Sequence, residues 1–249
     1  MRILISNDDG IRSEGLKALH DAAAGVGEVW VVAPDRERST ASHSLSLHRP
    51  LRVEKLAERW FAVDGTPTDC VNLAVNGLMR EWRPQILLTG INKGANMGDD
   101  VTYSGTVSAA MEGTLLGIPS VAISLDARDG FDYALAAWFS QLVARRVVEK
   151  GLPPGILLNV NVPNIPRSEC RGVRVTRQGK RIYGDAIVES VDPRGRQYYW
   201  IGGDELGFVP EEGTDFCAVS RGEISVTPLR LDMTDHTARK ELARWDFEA

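Results

Sequence analysis

The chain has only three cysteines, Cys70, Cys170 and Cys217, and no C-x-x-C pair among them. An odd number at such spacing argues against both a disulfide framework and a zinc knuckle. There is no long basic run, and 29 Lys and Arg against 34 Asp and Glu leave a net charge of −5. No nucleic-acid polymer is therefore expected as a partner, although a small phosphorylated substrate stays open. No segment approaches the roughly 18 apolar residues of a membrane span. The ILI run near the start is too short for a signal peptide, so a cytoplasmic protein without a membrane partner is expected. Internal repeats and low-complexity tracts are also missing.

What is present is alternation. Residues 2–6 read as a buried strand, and Ser13 can cap a helix carrying Leu16, Leu19 and Ala23 on one face, closing near Gly25 or Gly27. EVWVVAPD (28–35) is a second strand, which completes a βαβ unit and so a parallel sheet. LRVEK and RWFAV read as short strands that pair as an excursion from that sheet. In 65–79, Thr66, Pro67 and Asp69 mark a helix start. Strand 85–90, a Gly/Asn-rich loop (91–105), a helix from Ser104, strand 120–125, helix 131–149 and strand 156–162 continue the pattern. The fold class is doubly wound α/β over 1–165. Residues 166–249 add a hairpin-like arm over 172–202, a strand at 223–229 and a final helix of about 234–246. Leu242 and Trp245 on that helix need a partner surface, so oligomer contacts are expected within one single-domain chain.

In an open parallel sheet, ligands bind outside the carboxyl ends of the strands. Three segments leave those ends here: NDDG after the first strand, PDRERSTAS after the second, and TGINKGAN after QILL. Asp8 and Asp9 sit where a strand stops, and Gly10 permits a bend that aims both carboxylates at one point. Close carboxylates repel unless a cation neutralises them, and hard oxygen ligands suit Mg²⁺, Mn²⁺ or Ca²⁺. A Ser hydroxyl from 36–44 and an Asn oxygen from 91–96 would extend the ligand set. Ser104-Gly105-Thr106 opens a helix, whose N–H groups favour a phosphate. No G-K-[ST] follows at Walker spacing, so this is not a P-loop. Each feature also has a plainer account. NDDG alone is a turn, Ser104 alone is a cap, His43 and His48 are surface loop residues, and Asp99-Asp100 is a solvated turn.

ILISNDDG, VVAPDRERSTASHSL, GTPTDCV, TGINKGANMGDDVTYSGTVSAAMEG and TPLRLDMTDH together closely resemble the survival-protein SurE family of metal-dependent nucleotidases. The likeness spans essentially the whole chain. It implies a Rossmann-like core and one Mg²⁺ or Mn²⁺ per subunit on Asp8, Asp9, Ser39 and Asn92. Asn96, Ser104, Gly105 and Thr106 match the part of the family pattern around the substrate phosphate. The implied reaction is hydrolysis of nucleoside 5′- and 3′-monophosphates, in some members also short-chain polyphosphate, by metal-activated water. Asp8, Asp9, Asn96, Ser104 and Thr106 would be the catalytic set. The implied assembly is a homodimer or homotetramer with an exchanged C-terminal segment, where Asp232 and His236 match a pair at a subunit contact.

Two positions depart from the pattern. Thr40 stands where Gly usually follows the ligating serine, and Thr89 replaces the usual Ser before Gly90. Rival readings are a non-catalytic nucleotide-binding protein and a phosphotransferase using an acceptor other than water. A covalent aspartyl-phosphate route lacks its D-x-D signature, because Gly10 stands two residues after Asp8. Asn7 reads as a residue that shapes the turn.

Overall fold

A computed structural model of the chain describes residues 1–182, 187–201, 207–245 and 247. Strands β1 (Arg2–Ser6) and β2 (Glu28–Pro34) flank helix α1 (Glu14–Ala24), whose cap is Ser13 accepting from the Leu16 amide. The hairpin of β3 (Val53–Ala57) and β4 (Trp60–Val63) follows, with β4 parallel to β2. The expected excursion is therefore an extension of the main sheet, since β4 finds unpaired β2 backbone beside it. Helix α2 (Pro67–Leu73) starts with a reciprocal Thr66–Asp69 capping box and runs into a π turn at Ala74–Leu78.

Strand β5 (Ile86–Lys93) outruns the expected 85–90, so Asn92 is a strand-end residue rather than a loop residue. Helix α3 (Gly105–Leu115), strand β6 (Ser120–Asp126), helix α4 (Ala134–Lys150) and strand β7 (Ile156–Pro163) complete the alternation. Beyond residue 165 lie β8 (Val173–Val175), β9 (Arg181–Ile182), β10 (Ile187–Val191), β11 (Gln197–Ile201), β12 (Gly207–Phe208), helix α5 (Asp215–Ser220), β13 (Ile224–Arg230) and helix α6 (His236–Leu242). The expected arm and terminal helix touch residues 183–186, 202 and 246, which lie outside the described residues. Helix α5 escapes the sequence reading because its six residues are too few to show a helical period.

The nine-stranded sheet runs β3-β4-β2-β1-β5-β6-β7-β13-β8. It is mostly parallel, with β3 antiparallel to β4 and β13 antiparallel to β7. Two small antiparallel pairs, β10-β11 and β12-β9, stand apart from it. The sheet thus continues past residue 165 through β13 and β8. Period-two alternation splits its two cores. Ile3 and Ile5 pack with Leu16, Leu19, Leu135 and Phe139 from α1 and α4, while Leu4 packs with Val71 and Ala109 from α2 and α3. No helix among the described residues is long and apolar enough to cross a membrane.

The chain runs from β1 outward to β2, then returns to β5 on the other side and proceeds to β6 and β7. The topological switch point is therefore between β1 and β5. Helix α1 is pressed tightly against that point, because a Cβ on Gly15 would stand 2.1 Å from the Ile91 carbonyl oxygen. Gly15→Ala is expected to cost about 3 kcal/mol of stability in chemical denaturation. A wild-type midpoint in that variant would contradict this packing.

Candidate metal and phosphate site

Asn7 ends β1 and binds the turn together, donating from its side-chain amide to the Gly10 carbonyl (3.1 Å) and Ser13 Oγ (2.8 Å). This is the turn-shaping role read from the sequence. Gly10 has φ +97, and a Cβ there would meet the Arg36 carbonyl carbon at 2.9 Å. The Arg38 amide donates to the Asp8 carbonyl at 2.7 Å. The first and second loops are therefore packed backbone to backbone.

Two further contacts bring in the third loop. The Lys93 amide donates to Asp9 Oδ2 at 3.1 Å across the switch point. The Thr106 hydroxyl donates to Asp8 Oδ1, and Gly105 lies so close that its Cβ would be 2.8 Å from Asp8 Oδ2. The N-terminus of α3 thus abuts the Asp8 carboxylate, where its N–H dipoles favour negative charge. All three loops meet around Asp8 and Asp9.

Asp8 is buried and Asp9 half-buried. Burial raises the Asp8 pKa, against the pull of its Thr106 hydrogen bonds. Burial and then the Asp8 charge push Asp9 from 3.8 up to about 6. Such a pair favours the protonated form in the folded chain, so its stabilising contribution is full below about pH 4 and is lost as pH rises through 6. With chelator present, thermal stability is expected to fall over that window. An Asp9→Asn variant should show a flatter profile, and identical profiles for the two proteins would contradict the assigned origin.

The remaining expected residues fall into place unequally. Asn92 donates from Nδ2 to the Gly94 carbonyl at 2.8 Å, which turns its Oδ1 free of that bond. Ser39 is exposed and donates to Glu37 Oε1 at 2.7 Å. Glu37, a carboxylate the sequence reading passed over, raises the pKa of both Asp8 and Asp9 by its charge. Its signal was an acid between two arginines, Arg36 and Arg38, two residues before Ser39. Thr40 has φ +60 and Ser42 φ +51, a left-handed conformation costing roughly 1 kcal/mol or more for each side-chain-bearing residue. The Gly usual at position 40 would remove that cost. Thr89 keeps the function of a serine, since its hydroxyl donates to the Thr106 carbonyl at 2.7 Å.

Asn96 is held by its backbone. Asn161 accepts from its amide at 2.8 Å and donates to its carbonyl at 3.0 Å, while Asn159 donates to the same carbonyl at 2.8 Å. Its own side-chain amide donates to Ser124 Oγ at 2.8 Å. Ser104 caps α3 by accepting from the Val107 amide, which leaves its hydroxyl proton available. Thr106 is fully buried with its hydroxyl engaged on Asp8, so it orients a carboxylate here.

His43 stays an exposed loop residue with a buried partner, the plain account of Asp100 is corrected, and the glycine-rich loop gains an anchor. His43 does more than cover the surface, because its Nε2 lies 2.9 Å from Oε2 of the buried Glu112. Asp100 is no solvated turn residue, since its carboxylate accepts from Arg181 Nε at 2.8 Å. The glycine-rich loop is anchored by the buried Asp215 of α5, which accepts from the amides of Gly98 and Gly179 at 2.8 Å each. His48 is exposed as expected, and His236 Nε2 lies 2.9 Å from Asp232 Oδ2 on the surface.

The donor set suits a hard divalent cation. One buried and one half-buried carboxylate, both with raised pKa values, an amide oxygen and a hydroxyl are oxygen donors of the kind Mg²⁺ and Mn²⁺ take.

Comparison with known proteins places the chain among them. Residues 3–185 match the family described as Survival protein SurE. The 5′-nucleotidase SurE of Geotalea daltonii is 56% identical over 99% of this chain and 100% of its own length. That of Myxococcus xanthus is 53% identical over 99% of this chain and 94% of its own. The crystal structure of the SurE protein from Aquifex aeolicus superposes with a TM-score of 0.88 at 45% identity, covering 96% of this chain and 97% of that one. A match of this extent, on a chain whose three loops close around one carboxylate pair, establishes that it belongs to the survival protein SurE family.

Proposed function

We propose that the chain is a phosphomonoesterase that hydrolyses nucleoside 5′-monophosphates to nucleoside and phosphate. The single observation carrying this reading is the Asp8–Asp9 pair at the sheet's switch point, with Asp8 buried and abutted by the N-terminus of α3. The name 5′-nucleotidase SurE carried by full-length relatives supports the substrate class. Asp8, Asp9, Ser39 and Asn92 would hold one Mg²⁺ or Mn²⁺ per subunit. When bound, the cation supplies charge neutralisation at the phosphate and lowers the pKa of water.

The chain's own residues do the rest. The Ser104 hydroxyl, the Gly105 amide and Asn96, whose backbone Asn161 clamps, would bind the phosphate oxygens. Donors fixed in advance stabilise the charge that develops on phosphate oxygens without reorganising. Thr106 holds the Asp8 carboxylate in one orientation. Asp8 or Asp9 would take the proton from an attacking water.

The same reading extends to nucleoside 3′-monophosphates and short-chain polyphosphate, and to a cytoplasmic enzyme. It also assigns residues 166–249 to assembly as a homodimer or homotetramer with an exchanged C-terminal segment. Exposed Ile187, Val188, Tyr199 and Trp200 on the β10-β11 hairpin support that assignment, as do Leu242 and Trp245 at the C-terminus. The division at 165 is then one of role, because β8 and β13 still belong to the core sheet. Phosphate release from 5′- and 3′-monophosphates and polyphosphate, with and without an added nucleoside acceptor, tests the proposal. Free phosphate from 5′-monophosphates is the expected product. Binding without release, or label carried to the acceptor, would overturn hydrolysis.

A further inference from the structure

Helix α3 touches both the loop after β1 and the loop after β2. Its first residue, Gly105, lies against Asp8. Glu112 stands seven residues later, about 10 Å along nearly the same helix face. Its buried carboxylate receives His43 Nε2 at 2.9 Å and Asn72 Nδ2, from α2, at 2.7 Å. His43 holds the Glu112 carboxyl below its usual range, more than burial raises it.

His43 belongs to the segment that begins with Ser39. One end of that segment is fixed to β1 by the Arg38 amide on the Asp8 carbonyl, at 2.7 Å. Between this point and His43 lie Thr40 and Ser42, both with left-handed backbones that relax once their surroundings release them. Weaker ties follow the chain: Ser42 Oγ donates to the Thr102 carbonyl (2.9 Å), and the Ser44 carbonyl accepts from Thr66 Oγ1 (2.7 Å). The Ser46 amide donates to Asp69 Oδ1 at 2.8 Å. Two buried carboxylates thus hold the segment, Asp69 from α2 and, through His43, Glu112 from the helix that abuts Asp8.

We propose that His43 is a positioning residue, whose bond to Glu112 keeps Ser39 at the metal site by strapping the 39–46 segment onto α3. The inference rests on the reading of Ser39 as a metal ligand.

The test is Mn²⁺ binding followed by the electron paramagnetic resonance of free Mn²⁺, on folded full-length protein. His43→Ala is expected to weaken Mn²⁺ about tenfold, equivalent to about 1.4 kcal/mol. His43→Gln keeps a donor towards Glu112 and should stay within about threefold of wild type. At saturating Mn²⁺, the nucleotide KM of His43→Ala should change by less than about twofold. In a Ser39→Ala background, the His43 change should have no further effect on Mn²⁺ affinity, because both act through one hydroxyl. Unchanged affinity in His43→Ala, or losses that simply add in the double variant, would overturn the strap. A higher KM with intact Mn²⁺ binding would make His43 a substrate contact instead. No Mn²⁺ binding by wild type would remove the metal reading itself, and the strap with it.

Discussion

Asp9→Asn is expected to lower phosphate release from adenosine monophosphate by about 10²–10³-fold, the loss typical of removing one element of charge stabilisation from a site. The asparagine still offers an oxygen to the Lys93 amide, so the strand end and the loops keep their places. What disappears is a negative charge that burial and the neighbouring Asp8 already disfavour, as the rise of its pKa to about 6 records. Above pH 6 the variant should therefore be more thermostable than wild type when chelator is present, while being far less active. Opposite signs on activity and stability mark a residue kept for function at a cost to the fold. The check is a pair of measurements at pH 7.5 in the presence of chelator and of Mn²⁺. A variant as active as wild type would remove Asp9 from the mechanism.

Gly105→Ala comes second in expected size. The new methyl would sit 2.8 Å from both Cβ and Oδ2 of Asp8, closer than any side chain tolerates. Either Asp8 rotates away or the first turn of α3 withdraws, and both outcomes pull the Thr106 hydroxyl off Oδ1. A displacement on the scale of 1 Å costs on the order of 10²-fold in rate where reacting groups are held in register. Destabilisation of about 1–3 kcal/mol should accompany it. Activity measured under conditions where the variant remains folded separates the two effects. Wild-type activity there would show that contact between α3 and Asp8 has no part in the site.

Much of this was readable from local chemistry. The Thr66–Asp69 box, the Ser13 and Ser104 caps and the β1-α1-β2 unit follow from short-range rules, and the structure contains each of them. The meeting of the NDDG, DRERS and INKGAN segments also followed, because the carboxyl edge of a parallel sheet is one place. Long-range pairings were less legible. Nothing local to WFAV says that it lies beside β2, nor to EISVTPL that it closes on β7 in reverse.

Partners for polar residues were the other blind spot. The sequence pairs Thr106 with the phosphate but gives no sign that its hydroxyl donates to Asp8, 98 positions away. His43 and Glu112 are 69 apart, and Asn96 and Asn161 are 65 apart. A side chain's hydrogen-bond partner is set by the folded chain rather than by spacing, so residue type alone gave the inventory without the wiring. The odd Thr at position 40 was visible in sequence, but only its φ of +60 says why glycine is the easier residue there.

The central claim is that Asp8 and Asp9 form one half of a divalent-cation site that hydrolyses nucleotides. Its most direct test is phosphate release from adenosine monophosphate by protein stripped with chelator, then titrated with Mn²⁺. The account predicts no release from the stripped protein and recovery that saturates at one Mn²⁺ per chain. Undiminished hydrolysis by the stripped protein would contradict it.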